Sequence, residues 1–346
     1  MRPELLDLVG GTPLARVTTP LPHRHAGFWA KLECLGAGGM KARAAVSMLM
    51  AARTDGRLAP GAPVVESTSG TLGLGLAFAG QALGHPVVLV VDDELEPVMR
   101  ALLTAHGAHL EIVPEPHPTG GWQRARLDRL RAVLAEIPGA YWPDQYNNPA
   151  NPKGYAALAR ELLDALDHID VLVCSVGTGG HSAGVAGELR RHRPGVRLIG
   201  VDAVGSTIFG QPALPRVMRG LGSSIHPRNV AYHEFDEVHW LGPVEVVAAC
   251  RRLARDGFVS GGWSTGAVAM VAAWVARVEP GAVVVTVFPD GVHRYLDTIF
   301  DDRFCEARGL LGPPSGHPVE VADPAAAPLS GWSRCAVVTD PLGVPA

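Results

Sequence analysis

The sequence predicts an α/β fold in which helices cover both faces of a mostly parallel, doubly wound sheet. Short runs of β-branched residues are almost continuously hydrophobic, as expected for strands buried on both faces. These predicted strands cover residues 63–67, 86–91, 171–176, 197–202 and 283–288. Longer runs rich in alanine and leucine lie between them and predict helices over 42–53, 72–83, 182–192 and 265–278. Strands that alternate with helices are typical of this architecture.

Composition and charge describe a globular protein and exclude several classes of function. A chain of 346 residues can form two domains, and 47% hydrophobic against 18% charged residues is typical of an ordered protein. The net charge of −4 provides no basic surface for nucleic acid. No apolar run reaches the roughly 18 residues that a membrane span needs. The first residues lack the order of a signal peptide, so the sequence predicts a cytoplasmic protein.

The cysteines and the end of the chain carry little chemistry. Five scattered cysteines form no CxxC pair, which argues against a disulfide framework and against a zinc site. We therefore expect no metal. From residue 312 the chain is rich in Pro, Gly and Ala without periodicity, and we expect a largely irregular tail over 311–346.

Lys41 stands among glycines and alanines in a chain that hardly uses lysine. Only Lys31, Lys41 and Lys153 are lysines among 30 basic residues, and the other 27 are arginines. An arginine replaces a solvated lysine readily, but it forms no Schiff base. Lys41 is thus a candidate for amine chemistry, which a desolvated position beside backbone N–H groups would favour. A solvated or phosphate-facing cation is the alternative.

Two more glycine-bearing segments follow predicted strands and precede helices. In the first, Thr68, Ser69 and Gly70 bring N–H groups and hydroxyls to one point, as in a carboxylate or phosphate cradle. A plain helix cap is the alternative. In the second, glycines over 177–180 allow backbone amides to approach a phosphate. A dinucleotide loop, with Asp202 as the ribose-binding acid, is the alternative there.

Seven segments occur in the order seen in cysteine synthases. They are GGTPLARV (10–17), KLE (31–33), GGMKAR (38–43), ESTSG (66–70), GTGG (177–180), GGWSTGA (261–267) and PDGVHRYL (289–296). Over roughly residues 4–300 the chain resembles these fold-type II, tryptophan synthase β-like enzymes. The resemblance implies pyridoxal 5′-phosphate as cofactor, small amino-acid substrates and a homodimer. It also implies a larger cofactor-binding domain (1–35 and 144–310) and a smaller mobile domain (36–143), both doubly wound.

The resemblance assigns roles residue by residue. Lys41 matches the Schiff-base lysine, which would also carry the proton at the substrate Cα. Ser264, otherwise a plain helix cap, matches the hydroxyl that faces the ring nitrogen. A neutral hydroxyl there suits β-elimination to an aminoacrylate. The phosphate loop matches Gly177, Thr178, Gly179, Gly180 and His181. The substrate carboxylate would be bound by Thr68, Ser69 and Gly70 with help from Gln145.

Several positions depart from the family pattern. Thr71 stands where the family has an asparagine that reaches the cofactor's ring hydroxyl. Gly39 and Ala42 also differ around the lysine, and His181 replaces a small hydroxyl residue and would add a donor to the phosphate. These departures bear on the substrate, and they motivate a non-catalytic partner subunit as one alternative function.

Four further segments are similar to the branch that makes N-(2-amino-2-carboxyethyl)-L-glutamate in diaminopropionate pathways of secondary metabolism. They cover 115–122, 140–148, 201–210 and 220–227. The branch implies that O-phospho-L-serine loses its leaving group and that an amine such as L-glutamate adds. Arg126 aligns with a position that would meet the substrate phosphate, with Arg124 as its neighbour; a solvated helix face is the alternative for both. An O-acetylserine sulfhydrylase and a nicotinamide-dependent oxidoreductase are the other functions considered.

Overall fold

The computed structural model describes residues 3–18, 27–68, 70–258, 260–326 and 328–343. Within these ranges the strands, in chain order, are β1 Leu14–Val17, β2 Phe28–Lys31, β3 Val64–Ser67, β4 Val87–Asp92, β5 His109–Val113, β6 Val171–Ser175, β7 Arg197–Ala203, β8 Glu237–Leu241, β9 Val284–Val287, β10 Val319–Glu320 and β11 Ser333–Cys335. They form one sheet of eight strands and one of three.

The helices follow the strands as the sequence predicts. In chain order they are α1 Ala42–Thr54, α2 Thr71–Leu83, α3 Pro97–Ala105, α4 Gly121–Glu136, α5 Ala150–Lys153, α6 Ala156–Ala165, α7 Gly180–His192, α8 Pro243–Arg255, α9 Trp263–Val278 and α10 Asp302–Glu306. Short 3-10 helices cover Pro3–Leu8, Glu33–Leu35, Tyr232–Glu234 and Val292–Tyr295. All four helices predicted from the sequence are present.

The larger sheet has the strand order β1-β2-β9-β6-β7-β8-β11-β10. Its five central strands are parallel to one another; they are β2, β9, β6, β7 and β8. Every residue of β6 and β9 is buried, because α8 and α9 cover one face and α6 and α7 cover the other. The continuous hydrophobicity of these strands therefore predicted them correctly. The α/β prediction is confirmed.

The smaller sheet has the order β3-β4-β5, and both of its strand pairs are parallel. Helix α4 packs on one face through Leu130 and Val133, and α2 and α3 pack on the other. All of this sheet lies inside the segment expected as the smaller domain. The domain boundaries and the mobility of that domain stay predictions.

The tail contains two short strands that the sequence does not reveal. β11 pairs antiparallel with β8, and β10 pairs parallel with β11, so residues 319–320 and 333–335 extend the larger sheet. Five residues are too few to show a period of two. What holds them is pairing with β8 and the burial of Trp332, which is 2% exposed. Elsewhere the tail is irregular, as expected.

A buried histidine joins this tail to the sheet. The Trp332 indole N–H donates to Nδ1 of His239 at 2.9 Å, and Nε2 of His239 lies 2.5 Å from Glu237. Because an indole nitrogen only donates, Nδ1 accepts and the imidazole is neutral. Burial lowers the pKa of His239 despite the neighbouring carboxylate. Arg334 of β11 completes the cluster with an ion pair to Glu237 at 2.7 Å.

The docking of β11 is expected to weaken as the pH falls below 6.5, the ordinary pKa of histidine. The pKa of His239 is lowered in the folded state, so below 6.5 the undocked form binds the proton more readily. A protonated Nδ1 would also face the Trp332 N–H, donor against donor. Hydrogen exchange of the β11 amides, corrected for the intrinsic rate, should accelerate between about pH 7 and pH 5. The variant His239→Gln keeps both hydrogen bonds without titrating, so an equal acceleration in it would refute the role of His239.

Candidate active site

Lys41 directly precedes α1, and its side chain is half-buried. Among the described residues no hydrogen-bond or ion-pair partner contacts its amine. Desolvation lowers the pKa of Lys41, Asp290 and Glu66 oppose this shift, and Arg294 adds to it. Helix α2 packs closely here, because a Cβ at Gly75 would lie 2.9 Å from the Lys41 carbonyl carbon. This environment increases the fraction of neutral amine.

A buried ion network fixes the start of α1, two residues beyond Lys41. Arg43 is 4% exposed; it donates from Nε to Glu33 at 2.7 Å and from Nη1 to Glu161 of α6 at 2.8 Å. Lys31 also pairs with Glu161, at 2.7 Å. Burial alone would raise the pKa of Glu161, but Arg43 and Lys31 lower it to about 2. The network therefore ties α1 to β2 and to α6.

The glycine loop over 177–180 joins β6 to the first turn of α7. Gly179 has φ of +80°, and a Cβ there would lie 2.5 Å from the backbone of Asn229 and Val230, so only glycine fits. Thr178 accepts weakly from the Gly180 N–H at 3.4 Å. The first amides of α7 have no partner within the helix and carry the positive end of its dipole. These features suit a phosphate.

His181 is the second residue of α7 and is buried. Burial first, and then the charge of Lys41, lowers its pKa to about 3. The imidazole is thus neutral, and it provides one N–H donor at most. The Lys41 charge therefore acts on the start of α7.

The start of α2 combines a cap with a strained glycine. Thr68 accepts from the N–H groups of Gly70 and Gly73 at 3.0 and 3.3 Å, so its hydroxyl binds amides at the start of α2, although the N-cap residue is Gly70. Gly70 has φ of +136°, and a Cβ there would lie 2.5 Å from Nη2 of Arg294. Ser69 lies outside the described residues. The predicted carboxylate-binding role of this turn stays a prediction.

Thr71 belongs to a polar cluster that the sequence did not reveal. Its hydroxyl accepts from Nη1 of Arg294 and lies 3.4 Å from Oδ1 of Asp290. Arg294 also pairs with Asp290 at 3.2 Å and approaches Glu96, the residue before α3, at 3.8 Å. Tyr295 donates to Asp290 at 2.8 Å. The segment PDGVHRYL (289–296) matches a family motif, but the motif alone does not indicate a role for Asp290, Arg294 or Tyr295.

Glu66 holds the segment after Tyr141 against β3. The buried carboxylate accepts from the backbone of Ser67 at 2.8 Å, from the indole of Trp142 at 3.0 Å and from the backbone of Gln145 at 3.2 Å. Burial raises the pKa of Glu66 to about 8. The Gln145 amide donates to the Ser67 carbonyl at 2.9 Å. Gln145 thus lies beside the turn that begins α2, as its predicted role requires.

Ser264, the second residue of α9, is buried and donates to the Gly220 carbonyl at 3.3 Å. The chain around Gly220 also contacts the residue before the glycine loop, since the Gly222 N–H donates to the Val176 carbonyl at 2.9 Å. Ser264 therefore borders the same region as residues 177–180. Whether its hydroxyl faces a ring nitrogen stays a prediction.

Arg126 takes a position that neither sequence interpretation describes fully. It is 7% exposed and pairs with the fully buried Asp92, which also receives Arg219 at 2.9 Å. The solvated-face interpretation is therefore wrong for Arg126. It is correct for Arg124, which is exposed and pairs with Asp128 of the same helix. The charge pattern of α4 could not separate the two, because only the packing of β4 decides which face is buried.

These residues fit the cofactor that the resemblance implies. An aldehyde requires an amine without a partner, which Lys41 provides. A phosphate requires unpaired amides at a helix start, which the glycine loop and α7 provide. Ser264 adds a buried neutral hydroxyl nearby.

No helix within the described ranges is both long and apolar enough to cross a bilayer, and no group of three metal-binding side chains occurs in them.

Comparisons with known proteins agree with this geometry. The family model described as "Pyridoxal-phosphate dependent enzyme" matches residues 5–290. An N-(2-amino-2-carboxyethyl)-L-glutamate synthase of Ralstonia nicotianae is 36% identical over 93% of this chain and 96% of its own. A putative cysteine synthase of Sinorhizobium fredii is 37% identical over 94% of this chain and 96% of its own.

A solved structure shows the same fold. The crystal structure of the O-acetylserine dependent cystathionine beta-synthase from Helicobacter pylori has a TM-score of 0.78 and 28% identity. The match covers 85% of this chain and 97% of that chain. The chain therefore belongs to the pyridoxal-phosphate dependent enzymes, as a fold-type II, cysteine synthase-like β-substituting synthase whose cofactor is pyridoxal 5′-phosphate.

Proposed function

We propose that this protein replaces the β-substituent of an activated L-serine, O-phospho-L-serine in preference, with an amine nucleophile such as L-glutamate. One observation carries the proposal: the half-buried Lys41 amine has no hydrogen-bond or ion-pair partner among the described residues, and its backbone packs against α2. The 36% identical Ralstonia relative supports the choice of L-glutamate.

Each part of the site would take one task. Pyridoxal 5′-phosphate, when bound, supplies the electron sink for cleavage at the substrate Cα and Cβ. Lys41 would hold the cofactor and move the proton at Cα. Residues 177–181 would bind the cofactor phosphate, Ser264 the ring nitrogen and Thr71 the ring hydroxyl.

The substrate would be held by residues of the smaller sheet and its neighbours. Thr68, Ser69 and Gly70 would bind its α-carboxylate with Gln145, and Arg126 stays a candidate for its phosphoryl group. Movement of the segment over 36–143 would exclude water from the reacting centre. A homodimer and a cytoplasmic location are further parts of this proposal.

The test mixes the protein with O-phospho-L-serine and a series of nucleophiles, and identifies products by mass. The proposal expects an adduct with L-glutamate and release of inorganic phosphate. Product from O-acetylserine and sulfide alone would reject the glutamate reaction and identify an O-acetylserine sulfhydrylase. A visible absorption band that borohydride leaves unchanged would instead favour a non-catalytic subunit, as Gly39, Ala42 and Thr71 suggested.

A further inference from the structure

The segment over 204–224 contacts both sheets and lies beside the glycine loop. It reaches α9 through Gly220 and β6 through Gly222. It reaches the smaller sheet through Arg219, which pairs with Asp92 at 2.9 Å and with Glu94 at 2.7 Å. A side chain on this segment is therefore well placed to contact a substrate.

Arg216 lies on this segment and is held in place by neutral groups. It donates from Nη1 to the Gly205 carbonyl at 2.7 Å and from Nη2 to the Ser224 hydroxyl at 3.0 Å. These bonds use two of its five N–H donors. Among the described residues no carboxylate forms an ion pair with it. Its guanidinium is thus oriented, but it has no direct ion pair within the described ranges.

The other two arginines of the region differ from Arg216 in this respect. Arg126 and Arg219 both pair with Asp92, so their charges are compensated inside the protein. The acid coupled to Arg216 is Asp202, whose Oδ2 is buried without a partner and whose pKa burial raises to about 7. Asp202 therefore compensates the charge of Arg216 incompletely.

The surroundings of Arg216 belong to the substrate side of the site. Arg216 is coupled electrostatically to the half-buried Tyr146, which directly follows Gln145. Ser224, which accepts from Arg216, donates through its own N–H to Gln123 of α4 at 3.1 Å. A half-buried guanidinium with free donors, set between these polar groups, matches an oxyanion.

We infer that Arg216 binds an oxyanion carried by one of the two substrates, either the phosphoryl group of the activated serine or a carboxylate of the nucleophile. This inference rests on the proposed function for the identity of the substrates. Arg216 would thereby select substrates by charge, while Lys41 performs the chemistry.

The test uses calorimetry on the holoenzyme after borohydride reduction, which prevents turnover, and compares ligands that carry a side-chain anion with counterparts whose side chain is uncharged: O-phospho-L-serine against L-serine, and L-glutamate against L-glutamine. In Arg216→Met, at least one anionic ligand should bind about 10- to 100-fold more weakly, since charge-assisted hydrogen bonds are lost. The dissociation constants of the two ligands with an uncharged side chain should change less than about twofold. Arg216→Lys should recover part of the loss, because lysine restores the charge without the planar fork.

The matched control is Arg131→Met, which removes an arginine that is exposed on α4 and pairs with Asp128; it should bind all four ligands as the wild type does. If Arg216→Met loses the difference in affinity between O-phospho-L-serine and L-serine, the oxyanion is the phosphoryl group. If it loses the difference between L-glutamate and L-glutamine, the oxyanion is the carboxylate of the nucleophile. A wild type without preference for anions, or an Arg216→Met variant that keeps it, overturns the inference. Because the reduced holoenzyme binds these ligands without turnover, failure of the proposed reaction is detected separately, as absence of product from the unreduced wild type.

Discussion

Lys41→Ala is expected to lower the turnover of the holoenzyme by at least about 10³-fold, since positioned proton transfer alone contributes 10²–10⁴-fold. The variant would also lose the covalent link to the cofactor, so borohydride should fix no pyridoxyl group on the protein. The fold should persist, because the Lys41 amine has no hydrogen-bond or ion-pair partner in the described part of the chain. Borohydride reduction followed by peptide mass analysis measures the link directly.

The composition of the chain offers two controls for this experiment. Lys153→Ala removes a lysine that is exposed on α5 and should leave both labelling and turnover unchanged. Lys41→Arg keeps the cation but not the amine, so it should fail like the alanine variant. Retained labelling at another residue in Lys41→Ala would show that the catalytic amine has been misassigned.

Arg43→Met is expected to lower the free energy of unfolding by about 3–5 kcal/mol, because it leaves a buried carboxylate without its partner. Glu33 is 2% exposed and would keep only the Thr12 hydroxyl, which donates to it at 2.5 Å. Denaturant unfolding followed by circular dichroism measures the loss.

Two variants separate this buried network from the effect of removing any arginine. Arg57→Met removes an exposed arginine paired with Asp55 and should leave the midpoint unchanged within error. Combining Arg43→Met with Glu33→Gln should restore part of the stability, since no buried charge then remains unpaired on that side. A single variant Arg43→Met with wild-type stability would show that water replaces the guanidinium.

The sequence predicted the parts of the fold that local pattern controls. Strands β6 and β9 are buried along their whole length, so their composition alone identified them. Lys41, Ser264 and the loop over 177–180 were located by glycine-bearing motifs at the starts of helices, where backbone amides converge. Tail strand β11 left no such pattern, because its three residues depend on an edge supplied by β8.

Long-range pairing explains what the sequence missed in the site. Arg294 contacts Thr71 from 223 positions away along the chain, and no single segment indicates such a contact. Arg126 and Arg219 meet on Asp92 for the same reason, since three separate elements must first be packed. A departure from a family motif, such as Thr71, indicates a position whose long-range contacts differ from the pattern of the family.

The pairing of β11 with β8 also bears on how the protein avoids aggregation through its sheet edge. Without β11, the edge of β8 over Val238–Trp240 would present unpaired backbone groups to solvent, which is a template for intermolecular strand addition. With β11 and β10 in place, the sheet instead terminates in a strand of two exposed residues, one of them the charged Glu320. The Pro- and Gly-rich tail therefore acts as a guard against aggregation as well as a closing element of the fold.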